Sequence, residues 1–272
     1  MRTGWMTAVA ATLTAMAGTA AAQTPLPPPP MVVTNPSWAA MPDAEAMAEA
    51  LPGFVRMAEI DGDATLQCVV GLDGRLSLCE VKELTPTGLG FDRAALSLAS
   101  RFRVNPRTVN GDEGKSSVQF TIHFRHPPEQ APPPWIRPQP SPEHLQAAVA
   151  LLAANRDAVE AELEDVVRNL GVDADRTAKV EAIVRQVRGE LVEQDMNASA
   201  LVIARLTTPE QLARMAARQG PPPPQPSPED MERAYDQVAV VAAEHRRRFK
   251  ALYCAQFDCP VLASPPAGAI QP

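Results

Sequence analysis

The sequence predicts an α+β domain followed by an all-α helical domain, and three observations support this prediction. Proline clusters after the N-terminal apolar segment, within residues 127–142 and within residues 221–228. Such runs favour extended polyproline II structure and mark boundaries between folded segments. Residues 36–126 carry strand and turn signals, whereas residues 141–260 are almost wholly helical in pattern.

The N-terminus has the order of segments that is typical of a secretory signal peptide. Arg2 supplies a positive charge, Trp5 to Ala17 is an apolar run, and Ala20-Ala21-Ala22 offers small residues before Gln23. We therefore expect cleavage after residue 22 and export to the periplasm. The alternative is an uncleaved inner-membrane anchor, although the apolar run is shorter than the roughly 20 residues that a bilayer core needs.

The remaining boundaries follow from composition. We expect a Pro-rich disordered segment at 23–35, the α+β domain at 36–126 and a Pro-rich linker at 127–140. The helical domain then covers 141–260 with a Pro-rich break at 221–228, and residues 261–272 form a disordered tail.

Charge and motif content disfavour several classes of function. The chain has 25 Lys and Arg against 32 Asp and Glu, a formal net charge of −7, and an acidic chain repels the phosphates of nucleic acids. The sequence contains no nucleophile elbow, phosphate loop or His-Glu-x-x-His motif. We therefore expect no nucleic-acid partner, no enzyme activity and no cofactor.

The cysteines predict two disulfides. Cys68, Cys79, Cys254 and Cys259 are an even number in a chain that we expect to be exported. Metal binding by Cys254 and Cys259 is the alternative. It is disfavoured because two thiolates without a nearby second pair cannot complete a tetrahedral site, and His245 is the only candidate close in sequence. We therefore expect no metal ion.

A β-hairpin is predicted in the first domain, because two apolar runs, 64–72 and 75–84, flank the turn dipeptide Asp73-Gly74. If these two residues form the loop, Cys68 lies opposite Cys79 and within disulfide range. A glycine bulge at the turn would instead shift the pairing by one residue and leave the two cysteines diagonal.

A helix and a strand follow the hairpin. Residues 93–102 repeat apolar side chains at helical spacing, and residues 117–125 alternate strictly between apolar and polar side chains. A period of two predicts a strand with one buried face. The apolar positions are Val118, Phe120, Ile122 and Phe124, and the polar ones are Gln119, Thr121 and His123.

The second half of the chain predicts four amphipathic helices. One follows the N-cap Ser141 and ends at Gly171, one runs from about Asp175 to Leu206, one follows a capping box at Thr208 and ends at Gly220, and one follows Ser227 and ends near Tyr253. Narrow, Ala-rich apolar seams favour a helical bundle or an antiparallel helical hairpin over a ligand cavity, with self-association through the helices as a further expectation.

The first domain carries an ordered set of motifs: Asn35-Pro36-Ser37-Trp38, Leu51-Pro52, Leu72-Asp73-Gly74-Arg75-Leu76, Gly88-Leu89-Gly90-Phe91, Phe102-Arg103-Val104-Asn105-Pro106 and the strand 118–124. With this set, residues 35–125 resemble the C-terminal domain of TonB-family energy transducers, in a variant with a cysteine pair. The resemblance implies a three-stranded antiparallel sheet with two helices on one side.

The resemblance also implies a site. Family members pair a short extended segment, the TonB box of outer-membrane receptors, with an exposed sheet edge by β-augmentation. By resemblance, that edge is the last strand: Ser117, Val118, Gln119, Phe120, Thr121, Ile122, His123 and Phe124. The alternative is that this strand merely completes the sheet, with Lys115 and Arg125 guarding its edge.

The N-terminus departs from that of energy transducers. Its apolar run contains no His or acidic residue, and the stretch from Gln23 to Pro36 would extend only about 45 Å as polyproline II. We therefore predict a periplasmic module that binds a protein or peptide partner. One alternative is a membrane-anchored transducer of reduced size. The other is a periplasmic chaperone-like or structural helical protein, because residues 206–211 are similar to the Leu-Thr-x-x-Gln motif of Spy-type proteins with one residue too many.

Overall fold

Three strands form the antiparallel part of the main sheet, and the third of them returns beside the first. The computed structural model describes residues 32–34, 36–105, 116–127, 130–221, 223–259 and 262, without the side chains of 156–160 and 162. The predicted signal peptide at 1–22, most of the Pro-rich segment at 23–35, Lys115 and all of the tail except Leu262 lie outside the described residues.

The order of elements confirms an α+β region followed by a helical region. The first region comprises β1 (Val32–Thr34), β2 (Trp38–Ala40), α1 (Ala44–Ala50), α2 (Gly53–Ala58), β3 (Gly62–Val70), β4 (Leu76–Thr85), α3 (Phe91–Ala99), β5 (Arg103–Val104) and β6 (Ser116–Phe124). The second comprises α4 (Pro142–Ala153), α5 (Arg156–Arg168), α6 (Ala174–Leu206), α7 (Pro209–Ala216), α8 (Pro228–Ala234) and α9 (Asp236–Gln256).

The main sheet has the strand order β1-β6-β3-β4. Its central strand β3 is antiparallel to both β4 and β6, and this is the three-stranded unit that the resemblance implies. The short strand β1 adds a fourth strand, parallel to β6, which the sequence analysis did not predict. A separate two-stranded sheet joins β2 to β5.

The hairpin turn is longer than the predicted two-residue loop. Its loop covers residues 71–75, with Gly74 in the left-handed conformation at φ 78° and Asp73 accepting a hydrogen bond from the Arg75 amide at 3.1 Å. Val70 therefore pairs with Leu76, and the prediction of a two-residue loop is wrong. A turn that contains a left-handed glycine adds residues to the loop and shifts the register of the strands.

A bulge in β4 restores the predicted register at the cysteines. The pairing shifts between Gln67 and Val69, where Leu78 on the opposite strand has φ 47° and is 82% exposed. Beyond the shift, Gln67 pairs with Glu80 as the sequence predicts. The disulfide Cys68–Cys79 joins the two strands at a Cα–Cα distance of 4.1 Å, so this predicted bond is confirmed.

The second predicted disulfide, Cys254–Cys259, is also confirmed and closes the turn at the end of α9. The predicted caps form as well: Ser141, Thr208 and Ser227 accept hydrogen bonds from the first turns of α4, α7 and α8, and Thr208 forms the full capping box with Gln211. These bonds satisfy amides that have no partner within the helix, which is why the helices begin where they do.

Two of the four predicted helices are interrupted. The first divides into α4 and α5, where the Asn155 side chain donates a hydrogen bond to the Leu151 carbonyl at 2.7 Å. The last divides into α8 and α9 at Tyr235, where the Arg205 guanidinium donates to the Ala234 carbonyl at 3.1 Å. In both places a side chain binds a carbonyl at the end of a helix, and periodicity alone does not reveal such a break.

The α+β region shares one hydrophobic core with α6 and α9, and α4, α6 and α7 form a second, smaller cluster. Phe54 of α2 is fully buried, and its ring centroid lies 6.3 Å from that of Phe249 and 5.5 Å from that of Tyr253, both in α9. Burial of an aromatic side chain of this size stabilises a fold by about 2–3 kcal/mol. The division into two separate domains at residues 127–140 therefore stays a prediction about folding units.

The loop between α5 and α6 docks on the α+β region through its backbone. The Phe54 amide donates to the Leu170 carbonyl at 2.9 Å, and the Asp173 amide donates to the Gly88 carbonyl at 3.1 Å. At Gly53 a Cβ atom would lie only 2.3 Å from the Asn169 carbonyl oxygen, so only glycine allows the two segments to approach this closely.

Residues 130–140 of the Pro-rich linker lie against the helices. The Pro134 carbonyl accepts a hydrogen bond from Arg233 at 3.1 Å, and the Trp135 amide donates to Asp236 at 3.3 Å. Arg205, which is almost fully buried, places its guanidinium 5.1 Å from the centre of the Trp135 ring. This cation–π contact holds the linker in place.

The close approach at Gly53 generates a stability prediction. We expect Gly53→Ala to lower the free energy of unfolding by about 2 kcal/mol, because the added methyl group forces the Asn169 loop away from α2. Gly189→Ala in α6 is the matched control, since a Cβ atom there meets nothing within 4 Å. It should raise stability by about 0.5–1 kcal/mol through helix propensity. Urea denaturation of both variants measures the difference, and equal stabilities would contradict the proposed packing.

Candidate binding edge of the sheet

Strand β6 is regular along its whole length. It pairs with β3 without a register shift from Ser116 opposite Val70 to Phe124 opposite Gly62. The predicted alternation is confirmed, since four apolar side chains of β6 lie in the core and the polar ones between them are partly exposed on the other face. The buried set is Val118, Phe120, Ile122 and Phe124.

The side of β6 that faces away from β3 is partly occupied. There β1 runs parallel to β6 and pairs Val32 with Ser117, Val33 with Val118 and Thr34 with Gln119. The expectation of a free edge along the whole strand therefore needs a correction for Ser117, Val118 and Gln119, because the chain's own strand covers them. From Phe120 to Phe124 no strand pairs on this side within the described part of the chain.

Trp38 lies beside the middle of β6. Its ring centroid is 4.8 Å from that of Phe120 in an edge-to-face arrangement and 5.0 Å from that of Phe102. The chain leaves β6 after Thr34, and β2, which contains Trp38, pairs with β5 instead. This aromatic cluster packs the core beneath the middle of β6.

The opposite border of the sheet, β4, is irregular. Its pairing with β3 shifts at two places, and at one of them Leu78 projects into solvent. Lys82 and Glu80 form an exposed ion pair at 2.8 Å on the same strand. Bulges and charged side chains are features that keep a foreign strand from pairing with a sheet edge.

The end of β6 is tied to the start of β3 by charged groups. The Asp63 carboxylate lies 2.8 Å from Nδ1 of His123 and 2.7 Å from the Arg125 guanidinium. Arg125 also donates to the Gly62 carbonyl at 2.9 Å. These side chains are mostly shielded from water, so the contacts fix the last residues of β6 more firmly than an exposed ion pair does.

A second carboxylate lies next to this group. Burial alone would raise the pKa of Asp61, but hydrogen bonds from the imidazole and the amide of His126 outweigh it and hold the pKa below its usual value. The bonds measure 3.1 and 3.0 Å. The positive charges of His126 and Lys250 act in the same direction.

Sequence reasoning identified β6 but missed its surroundings. It gave no role to Asp61, Asp63 or His126, and it placed no strand at β1. The Asp61-Gly-Asp63 spacing at the start of β3 was the available signal, because those residues meet the end of an antiparallel neighbour.

Among the described residues, no group of three or more His, Cys, Asp or Glu is arranged to hold a metal ion. No described helix combines the length and apolarity that a membrane span requires.

The fold and the edge define a class: a small disulfide-linked α+β domain that presents a sheet edge and is braced by helices. Comparison with known proteins gives the family. Residues 50–126 match the family described as Gram-negative bacterial TonB protein C-terminal. A stretch of 94 residues is 37% identical to an uncharacterized protein of Caulobacter vibrioides and covers 32% of this chain and 87% of that protein. No solved structure matches the chain significantly.

The chain therefore belongs to the TonB C-terminal family through this domain. This places it among TonB-like proteins of the Gram-negative cell envelope, where the family acts in transport through interactions with other proteins. The family domain is not an enzyme domain.

The lowered pKa of Asp61 generates a prediction on pH. Because the folded-state pKa lies below the unfolded-state value of about 4, the carboxylate stabilises the fold fully above that value, and this contribution is lost as the pH falls through the folded-state pKa. We expect Asp61→Asn to cost roughly 0.5–1 kcal/mol at pH 7, toward the low end because the group is partly exposed, and progressively less as the pH falls through the folded-state pKa. Glu193→Gln, at an exposed position of α6, is the control for removal of one negative charge. Denaturation curves at several pH values measure both, and a deficit that persists unchanged into acid would refute the assignment.

Proposed function

We propose that this protein is a periplasmic binding module that pairs an extended segment of a partner protein with the β6 edge by β-augmentation. The observation that carries this proposal is that β6 already accepts a strand, β1, on the side away from β3. Backbone hydrogen bonds would supply the affinity, and pockets for alternate side chains would supply selectivity.

The two borders of the sheet differ in a way that supports this choice. β6 is in unbroken register with β3, whereas β4 carries two shifts and a left-handed Leu78. A straight strand offers evenly spaced donors and acceptors to an incoming strand, and a bulged one does not. Beyond Gln119 no strand pairs with the outer side of β6 in the described part of the chain.

The family indicates the partner. TonB C-terminal domains act with outer-membrane receptors, and the plug of such a receptor carries an extended TonB box. We propose a segment of this kind as the partner of β6. The helical region packs against α2 through Phe249 and Tyr253 and so supports the sheet from the side of its helices.

Site-specific photo-cross-linking tests the proposal with the full chain. Thr121 of β6 and Glu83 of β4 both lie opposite Thr65 of β3, so they are matched positions on the two borders of one sheet. We expect benzoylphenylalanine at position 121 to cross-link a labelled receptor TonB-box peptide, and the same group at position 83 to give no product. The reason is that only β6 presents a regular edge.

The outcome is decided by the position that reacts. Cross-linking at 83 alone would place the partner on β4 and contradict the proposal. A lack of binding at high micromolar peptide, measured by fluorescence anisotropy on the unmodified chain, would reject β-augmentation by this class of partner altogether. Circular dichroism of both substituted chains controls for folding.

A further inference from the structure

Strand β1 occupies part of the edge that the proposed function assigns to a partner. It lies parallel to β6, and Val33 pairs with the fully buried Val118 and packs against the core. Its neighbour Val32 is 43% exposed and Thr34 is also exposed. At this edge, β1 therefore already places one apolar side chain, Val33, toward the core between the exposed side chains of Val32 and Thr34.

The sequence around β1 limits how firmly it can bind. Pro27 to Pro30 precede it and Pro36 follows it. Proline has no backbone N–H, so these residues cannot donate to a longer ladder. These prolines limit how far β1 can extend, and β1 pairs with three residues of a nine-residue strand.

We propose that β1 is a displaceable occupant of the partner's site. The partner is an extended segment that runs parallel to β6, replaces β1 and places an apolar, β-branched side chain where Val33 now lies. This inference rests on the proposed function and adds the orientation of the partner, its side-chain pattern and its competition with a segment of the same chain.

The pattern of the partner follows from β6. Side chains that pair across neighbouring strands lie on the same face of a sheet. Since Val118, Phe120, Ile122 and Phe124 all face the core, a strand longer than β1 meets the core at alternate positions with polar side chains between them. Trp38, which contacts Phe120, borders the path of such a strand.

The competition has a measurable size. A tethered segment acts at a high effective concentration, so it reduces the fraction of molecules whose edge is open. If β1 covers the edge in about nine molecules of ten, its release strengthens the apparent affinity for a partner about tenfold.

Two neighbouring substitutions in the full chain separate occupancy of the edge from a change in charge. Val33→Asp places a carboxylate where the core accepts a valine and should detach β1, whereas Val32→Asp changes an exposed neighbour and should leave it in place. The probe is a fluorescein-labelled nine-residue peptide with valine at alternate positions and lysine or threonine between them. We expect anisotropy titrations to give a Kd about tenfold lower for Val33→Asp than for wild type, and an unchanged Kd for Val32→Asp.

Hydrogen exchange and a spin label complete the test. Those amides of residues 117–119 that point away from β3 and toward β1 should exchange faster in Val33→Asp than in wild type, and a nitroxide on the peptide N-terminus should broaden the NMR signals of Ser117 rather than Phe124. Equal Kd values despite faster exchange would show that the peptide binds without competing with β1. Fast exchange in wild type would show that β1 does not cover the edge, and broadening at Phe124 would show an antiparallel partner.

Each of these three results overturns the inference and leaves the proposed function standing. Absence of binding to every variant overturns both. Thermal melting confirms that the fold is intact: the midpoint of Val32→Asp should match wild type, and that of Val33→Asp should fall only by the few degrees that loss of the β1 contact costs.

Discussion

The backbone groups at the border of a sheet need hydrogen-bond partners, and this constraint organises the α+β region of the protein. A border strand must bind water, pair with another strand or be shaped so that no strand fits. The chain meets this need differently on the two sides: β4 is bulged at Leu78 and carries charges, whereas β6 stays regular and receives β1. The regular side is thus the one on which a strand can be exchanged.

A sheet edge binds well only if it is already ordered, because ordering it during binding costs conformational entropy. Several features hold β6 in place before any partner arrives. Phe120 and Phe124 fix it to the core, Asp63 and Arg125 fix its end, and the Cys68–Cys79 disulfide fixes its neighbour β3 to β4. The strand that accepts β1 is therefore part of a rigid support, while β1 itself is bound through three pairs.

Local signals in the sequence predicted the elements whose stability is local. The period-two pattern identified β6, and the side chains of Ser141, Thr208 and Ser227 identified helix starts, because a cap is made within one turn. Features that depend on distant contacts were not predictable. The strand β1 has only three residues and no periodicity, and the bulge at Leu78 compensates for a turn that the dipeptide Asp-Gly does not specify.

The packing of the helical region against the α+β region is the clearest case of a feature that depends on contacts distant in sequence. An apolar stripe on α9 that includes Phe249 and Tyr253 is the pattern of a bundle helix, yet these rings pack on Phe54 of α2. Gly53 shows the reason, since a Cβ atom there would lie 2.3 Å from the Asn169 carbonyl oxygen of the other region. An amphipathic pattern indicates that a helix buries one face, but it does not indicate which element packs against that face. Because the helices use these side chains against α2, they brace the sheet from the side of its helices, and in the described part of the chain no strand pairs with the outer side of β6 beyond Gln119.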